Sequence, residues 1–238
     1  MARLFLLALA TAHAHTLRHT PTPQHPYHLL AAKPAPEPTP AAKLLDVGAA
    51  AATETLVLLC FLRTAAALVA SVSDARAKFV FGQLAWFLVV QGSSRLQGIV
   101  QKPDETLSPE WYGKVVKPSW NPPAWLFPVM WIPLKLAQTV GAGIAWRALD
   151  HKVFRSPAII AFVMHLTLGD VWNSQFFVKQ RILTGLLVIY SFWGVLVAAT
   201  ALLTNVSPVA GALVAPTVAW VFVAAALNLD IWYLNRSR

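Results

Sequence analysis

Five long apolar stretches constrain the fold of this chain more than any other feature. At a rise of 1.5 Å per residue, each is long enough as a helix to cross the ~30 Å hydrocarbon core of a bilayer. Their connections are short, except for residues 101–121, and short connections make sequential helices antiparallel neighbours. We therefore predict an all-α membrane protein with a bundle of five transmembrane helices, at residues 79–100, 122–147, 157–178, 182–204 and 209–234.

The composition of the 238-residue chain also indicates an integral, multi-pass membrane protein. Hydrophobic residues make up 57% of the chain and charged residues 12%, about half the charged fraction of a typical soluble domain. The net charge of +9 comes from lysines and arginines spread over termini and loops. We expect these side chains to face membrane lipids, and we expect no nucleic acid partner. The single cysteine, Cys60, excludes an internal disulfide framework and a cysteine-rich metal site.

The amino-terminal residues have the composition of a targeting sequence. Residues 1–14 have the form of a secretory signal peptide, with a basic residue, a short apolar core and a cleavage site after Ala14. Residues 15–46 are rich in proline, histidine and alanine, and the seven prolines from Pro21 to Pro40 predict a disordered leader. These segments favour an organelle or endomembrane, either a plastid or the endoplasmic reticulum, with the mitochondrial outer membrane as an alternative.

Residues 47–72 form a further apolar segment that is interrupted by two charges. Glu54 and Arg63 each cost about 2.5–3.5 kcal/mol near the centre of a bilayer. Two interpretations are therefore nearly balanced, an extra spanning helix and an amphipathic or targeting helix. The balance slightly favours a helix that is not part of the core bundle.

Charged residues inside the apolar stretches are expected to pair, because a lone charge in a bilayer is costly. Lys135 and Asp170 lie deep in two stretches that we expect to be antiparallel neighbours, so we predict that they pair. Arg95 and Asp230 lie near the same membrane face and form a second predicted pair. Each pair either holds helices together or lines a polar cavity.

Helical spacing places aromatic and polar side chains on one face of each of three apolar stretches. Such a face either packs against a neighbouring helix or lines a ligand pocket. On one such face a glycine leaves room for a ligand or a neighbouring helix. The faces are Trp131, Lys135 and Gln138 in the second stretch, His165, Gly169 and Trp172 in the third, and Trp220, Ala224 and Leu227 in the fifth.

The start of the second apolar stretch combines prolines with tryptophans. Two adjacent prolines lack backbone donors, so we expect them in the first turn of the helix, where donors have no partner. Two tryptophans lie about one turn apart, at the depth where indole prefers the membrane interface. The residues form the pattern K-P-x-W-x-P-P-x-W, with Lys117, Pro118, Trp120, Pro122, Pro123 and Trp125.

This pattern resembles the signature of the TspO/MBR family, the translocator proteins and tryptophan-rich sensory proteins. The resemblance covers residues 79–234 and includes several other blocks in the family's order. They are Trp111-Tyr112, Trp146, the segment from His165 to Phe177, Val206-Ser207-Pro208, and the segment from Ala219 to Trp232.

The resemblance implies a five-helix TspO/MBR bundle with an aromatic ligand pocket. Three positions depart from the family pattern: His165 and Gly169 replace a glutamine and an asparagine, and Lys135 replaces a tyrosine. The family's cholesterol motif is missing in register at the end of the last stretch, so sterol binding is the lesser alternative. The predicted ligand-binding residues are Phe127, Trp131, Lys135, His165, Trp172, Trp220, Ala224 and Asn228.

These residues favour a protein that binds a flat hydrophobic ligand, most of all a tetrapyrrole such as porphyrin or haem. We expect such a protein to act in tetrapyrrole sensing, trafficking or stress response. His165 is a weak candidate for a haem ligand and otherwise a packed core histidine; no metal site and no required cofactor are predicted. No catalytic residues are predicted, and any enzymatic activity is limited to light-dependent protoporphyrin degradation. The alternative is a structural or assembly subunit of a membrane complex, for example a photosynthetic one. We expect a homodimer or a membrane-complex partner.

Overall fold

The described part of the chain is helical and contains no β-strand. The computed structural model describes residues 38–100 and 110–237, and only the backbone of residues 96–100. The predicted signal peptide 1–14 and most of the predicted leader 15–46 lie outside these residues. The helices are α1 (Pro40–Ser71), α2 (Ala75–Val100), the short α3 (Trp111–Lys114), α4 (Leu126–Ala148), α5 (Pro157–Asn173), α6 (Ile182–Val206) and α7 (Pro208–Asn235).

Five of the long helices pack side by side in a ring. Around the ring, α2 contacts α4, α4 contacts α7, α7 contacts α6, α6 contacts α5, and α5 returns to α2. The expectation that sequential helices are neighbours is correct for α5, α6 and α7. It is wrong for α4 and α5, because α4 lies mainly between α2 and α7. One layer of the core is formed by Trp86 of α2, which contacts Trp146 of α4 and Phe162 of α5 edge to face, at 6.1 and 5.5 Å between ring centroids.

Helix α1 packs on the outside of this ring against α2 and α5. Leu58, Leu62 and Val69 on its inner face are buried in the same hydrophobic core as the ring helices. Helix α1 is therefore attached to the outside of the five-helix ring, and the expectation of a helix that is not part of the core bundle stays a prediction. Helix α1 also begins at Pro40, so the end of the predicted disordered leader is helical. A proline is tolerated at the first position of a helix because its missing donor needs no partner there.

Polar contacts join α1 to α5 and to the turn after it. The hydroxyl groups of Thr55 and Thr167 lie 2.9 Å apart. Nearer the start of α1, the carboxylate of Asp46 accepts a hydrogen bond from Lys179 Nζ at 2.5 Å and lies 3.5 Å from Arg181 Nη1. These contacts fix the position of α1 along α5 as well as its orientation.

Helices α5 and α7 begin at equivalent serine–proline pairs. Ser156 and Ser207 are the N-caps, and their hydroxyl groups accept hydrogen bonds from Ile159 N and Ala210 N at 3.3 and 3.4 Å. The prolines that follow them occupy the first helical positions, where a donor is not needed. Beyond α5, Ser174–Val178 forms one π-helical turn, which completes the predicted segment 157–178.

Helix α4 starts later than the sequence indicates. Pro122 and Pro123 do not form its first turn; they precede a turn in which Leu126 N donates to Pro123 O at 2.9 Å, and the helix begins at Leu126. Among the described residues, α1, α6 and α7 are long and apolar enough to cross a membrane by length and composition. The count of five transmembrane helices stays a prediction.

Candidate functional site

One part of the candidate site is an aromatic contact between the start of α4 and the middle of α7. Phe127 of α4 contacts Trp220 of α7 edge to face, with 6.0 Å between ring centroids. Trp131 follows Phe127 by one helical turn and is half-buried against the core. Trp220 is 9% exposed, and its indole N–H has no hydrogen-bond partner among the described residues. The predicted residues Phe127 and Trp220 are therefore in contact, and Trp131 lies on the same face of α4 as Phe127.

A second part of the site joins α5 to α7 through a hydrogen bond. The indole Nε1 of Trp172 donates to Asn228 Oδ1 at 3.2 Å, and both side chains are buried. Asn228 Nδ2 in turn donates to the carbonyl oxygen of Ala224 at 3.0 Å, which fixes the orientation of the amide. Trp172 also stacks on Phe176 with ring planes at 20°. Trp172 and Asn228, two of the predicted ligand-binding residues, are thus in direct contact.

Helix α7 connects these two parts along one buried face. Trp220, Ala224 and Asn228 occur at intervals of four residues, so they lie above one another on the helix, over ~12 Å. Ala224 is the small residue between the two larger ones. An aromatic group at one end, a hydrogen-bonded indole at the other and a methyl group between them suit a flat apolar molecule.

His165 belongs to a buried hydrogen-bond network that crosses three helices. Its Nε2 lies 3.1 Å from Gln138 Oε1 of α4, and Gln138 Nε2 donates to Thr217 Oγ1 of α7 at 3.0 Å. The imidazole also stacks on Phe192 of α6 at 15° and is 1% exposed. Because Nε2 is engaged with Gln138, this arrangement presents His165 as a core residue.

Two members of this network were not predicted as site residues. Gln138 carries a sequence signal, because it lies seven residues after Trp131 on the same predicted face. Thr217 carries none, because a threonine in an apolar helix usually bonds its own backbone. Gly169, expected to leave room for a ligand or a helix, faces a helix: a Cβ atom there would lie 3.2 Å from the ring of Phe192.

The predicted ion pair between Lys135 and Asp170 does not form. Lys135 Nζ donates to the carbonyl oxygen of Val90 on α2 at 3.0 Å. The carboxyl group of Asp170 lies beside Ser93 of α2 and Glu54 of α1, within electrostatic range of Lys135 but without an ion pair between these two described residues. The reason is topological, since α4 and α5 are separated by α2 around the ring instead of lying side by side.

The second predicted ion pair is also wrong, because Asp230 has a different partner. Asp230 Oδ2 accepts a hydrogen bond from the indole Nε1 of Trp120 at 2.8 Å, and among the described side chains Arg95 forms no ion pair with it. Trp120 belongs to the signature segment before α4. This contact therefore ties the signature segment to α7.

The other signature residues also belong to this loop and its attachment. Lys117 Nζ donates to Val115 O at 3.0 Å and lies 4.5 Å above the ring of Tyr112; partial burial lowers the pKa of Lys117. Asn235, near the end of α7, bonds both the N–H and the carbonyl group of Val116, at 3.2 and 2.9 Å. Trp125 is 64% exposed. Pro118 O accepts a hydrogen bond from Asn121 N in a turn of the same loop. Together these contacts anchor the signature segment to the bundle.

A separate apolar groove lies on the outer side of α6 and α7. It has a volume of about 550 Å³ and contains none of the predicted site residues. Trp193 lines it, donating from Nε1 to Val218 O at 3.2 Å and packing against Phe222. Its other lining residues include Val197, Ala215 and Ala219.

The sequence of residues 85–234 matches the family model of the TspO/MBR family. The chain belongs to the TspO/MBR family. It is therefore an integral membrane protein with a helical bundle, and α1 and the first part of α2 lie before the matched region.

Curated relatives come from bacteria, an archaeon and animals. The chain is 36% identical over 131 residues to the tryptophan-rich protein TspO of Chlorobaculum tepidum, covering 52% of this chain and 79% of that protein. It is 32% identical over 126 residues to protein CrtK of Rhodobacter capsulatus, covering 52% and 78%. It is 30% identical over 128 residues to the human translocator protein, covering 52% and 75%. The names of these relatives fit a membrane sensor or translocator.

Proposed function

We propose that this TspO/MBR protein binds a flat, largely apolar ligand of the tetrapyrrole class between α4, α5 and α7. The bound ligand serves in tetrapyrrole sensing, trafficking or stress response in an organellar or endomembrane. The observation that carries the proposal is the buried face of α7 formed by Trp220, Ala224 and Asn228. On this face the small side chain of Ala224 lies between Trp220 and Asn228, and Asn228 holds the indole of Trp172 by a hydrogen bond.

The chemistry of this face fits a tetrapyrrole better than a sterol. Indole and phenyl rings stack on an extended π-system, and Phe127 and Trp131 offer such rings from α4. The free indole N–H of Trp220 is a donor for a pyrrole nitrogen or a propionate group. A saturated ring system uses neither property. The ligand is held by apolar contact and few polar groups, as is usual for binding sites.

A fluorescence titration tests this proposal. Purified protein is titrated with protoporphyrin and with haem while the quenching of tryptophan fluorescence is followed. We expect saturable binding, and we expect Trp131→Ala and Trp220→Ala each to raise Kd about tenfold, since each removes about 1.4 kcal/mol or more of stacking and burial. Trp193→Ala is the matched control, because Trp193 is also partly buried but lines the outer groove. Unchanged affinity in the first two variants would refute the pocket.

A second candidate function is that of a structural or assembly subunit. The observation that favours it is α1, which lies before the matched region and covers the outer face of α2 and α5. Native gel electrophoresis of solubilised membranes separates the two functions. A protein found only in a large complex with no bound pigment favours the subunit, whereas a free monomer or homodimer with bound pigment favours the ligand-binding function.

A further inference from the structure

One end of the bundle carries several cationic side chains that form no ion pair with a described residue. This basic end consists of the adjoining ends of α1 and α2, the end of α4 and the loop between α4 and α5. Four of these side chains are exposed and Lys78 is half-buried; they are Arg63, Arg76, Lys78, Arg147 and Arg155. The function proposed above uses none of them.

The acidic residues of the basic end do not neutralise these cations. Asp74 Oδ1 accepts a hydrogen bond from Ala77 N at 2.7 Å, so its carboxylate caps the start of α2. Asp150 Oδ2 lies 3.6 Å from Lys152 Nζ, in an exposed ion pair between two residues of the loop after α4. Six cations and two carboxylates leave a net charge of +4 on residues 63–78 and 147–156.

The cations of α2 and α4 belong to one surface because the two helices are in contact there. The guanidinium carbon of Arg147 lies 5.8 Å from the ring centre of Phe79, the residue that follows Lys78. One turn further along α2, a Cβ atom at Gly82 would lie 3.9 Å from the ring of Trp146, so the backbone of α2 comes close to α4. Phe79 is itself exposed, so an apolar ring lies among the cations.

Arg63 lies at the depth of the same surface, although it interrupts the apolar run of α1. Thr55 contacts Thr167 and Asp46 contacts Lys179, so α1 and α5 run antiparallel. Arg63 follows Thr55 by eight residues, or ~12 Å, which brings it to the level of the first turn of α5. Its charge is therefore near the end of the bundle and not at the centre of the bilayer, where it would be costly.

We propose that the basic end is a docking surface for the headgroups of anionic phospholipids. The guanidinium groups of Arg147 and Arg155 donate to phosphate oxygens, which they match in charge and geometry. Arg63 reaches the same headgroup layer from the outer side of α1, and the exposed rings of Phe79 and Phe154 contact the acyl chains next to it. The charge of this surface carries the assignment, because clustered cations at the ends of membrane helices attract anionic lipids.

Native mass spectrometry of the purified full chain tests this surface. The protein in detergent micelles is titrated with phosphatidylglycerol and with phosphatidylcholine of the same acyl chains, and the Kd for each lipid is measured. We expect tighter binding of phosphatidylglycerol. We expect Arg147→Gln with Arg155→Gln to reduce this preference by about fivefold for each cation removed. Both side chains are exposed, so circular dichroism should show the same helical content in the variant.

Lys114→Gln with Arg236→Gln is the matched control, because it removes two exposed cations from the opposite end of the bundle and should leave the preference unchanged. Equal affinity of the unmodified protein for the two lipids would overturn the proposal without reference to any variant. An equal loss of preference in the control would also overturn it, because net charge and not this surface would then select the lipid. Displacement of the lipid by inorganic phosphate at the same concentration would assign the surface to a soluble anion instead.

Discussion

The hydrogen bond between Trp172 and Asn228 gives a quantitative test of how α5 and α7 are held at the candidate site. Replacing Asn228 by leucine keeps much of its volume but leaves the buried indole N–H of Trp172 without an acceptor. In water-soluble proteins an orphaned buried group costs about 1–3 kcal/mol. Inside membrane bundles, measured interhelical hydrogen bonds average about 0.6 kcal/mol and reach about 1.7. The second range applies here, because both helices are long and apolar.

A double-mutant cycle isolates the energy of this bond. The variants Asn228→Leu, Trp172→Phe and the double variant are unfolded in mixed micelles, and the free energies of unfolding are compared. We expect a coupling energy of about 0.6–1.7 kcal/mol. Asn173→Leu is the matched control, because the amide of Asn173 donates to the carbonyl group of Gly169 in its own helix and bonds no other helix among the described residues. A coupling energy below about 0.3 kcal/mol for the Trp172 and Asn228 cycle would refute the bond.

Three further predictions concern packing, pH and turnover. A Cβ atom at Gly211 would lie 2.8 Å from the backbone of α6, so Gly211→Ala should destabilise the protein by about 1–3 kcal/mol in thermal unfolding; Gly194→Ala, where nothing lies within 4 Å, should not destabilise it. Burial lowers the pKa of His151 in the loop after α4, so the unfolded chain binds more protons and stability should fall as pH drops through about 6.5; His151→Gln should reduce this slope, and an equal slope would contradict the assignment. Bound protoporphyrin should keep its Soret absorbance in the dark and lose it only in light and oxygen. Equal light-driven loss in the Trp131→Phe, Trp220→Phe double variant would show that the protein takes no part.

The helical class of the fold follows from the sequence because long apolar runs have few alternatives in a bilayer. The arrangement of the helices around the ring does not follow in the same way. Loop length indicates that α4 and α5 are neighbours, whereas their packing faces place α2 and α7 beside α4. The packing of α1 does not follow from the sequence either, because the contacts of Leu58, Leu62 and Val69 that attach it to the ring depend on the tertiary structure.

The sequence predicts which site residues align within one helix, but it does not predict which residues of different helices are in contact. Trp220, Ala224 and Asn228 share a face because helical spacing determines which residues of one helix align. Partners on other helices do not follow from spacing, so Asp230 was paired with Arg95 although its partner is Trp120. Gln138 and Thr217 were missed as partners of His165 for the same reason.

The claim that the ligand binds along the inner face of α7 is tested most directly by filling that face. Ala224→Leu adds a larger side chain between Trp220 and Asn228, whereas Ala219→Leu makes the same change in the outer groove. The measurement is the Kd for protoporphyrin of the two folded variants, compared with the unmodified protein. We predict that Ala224→Leu weakens binding at least about tenfold, a loss of about 1.4 kcal/mol, and that Ala219→Leu leaves binding unchanged. The reverse pattern would place the ligand in the outer groove and contradict the proposed site.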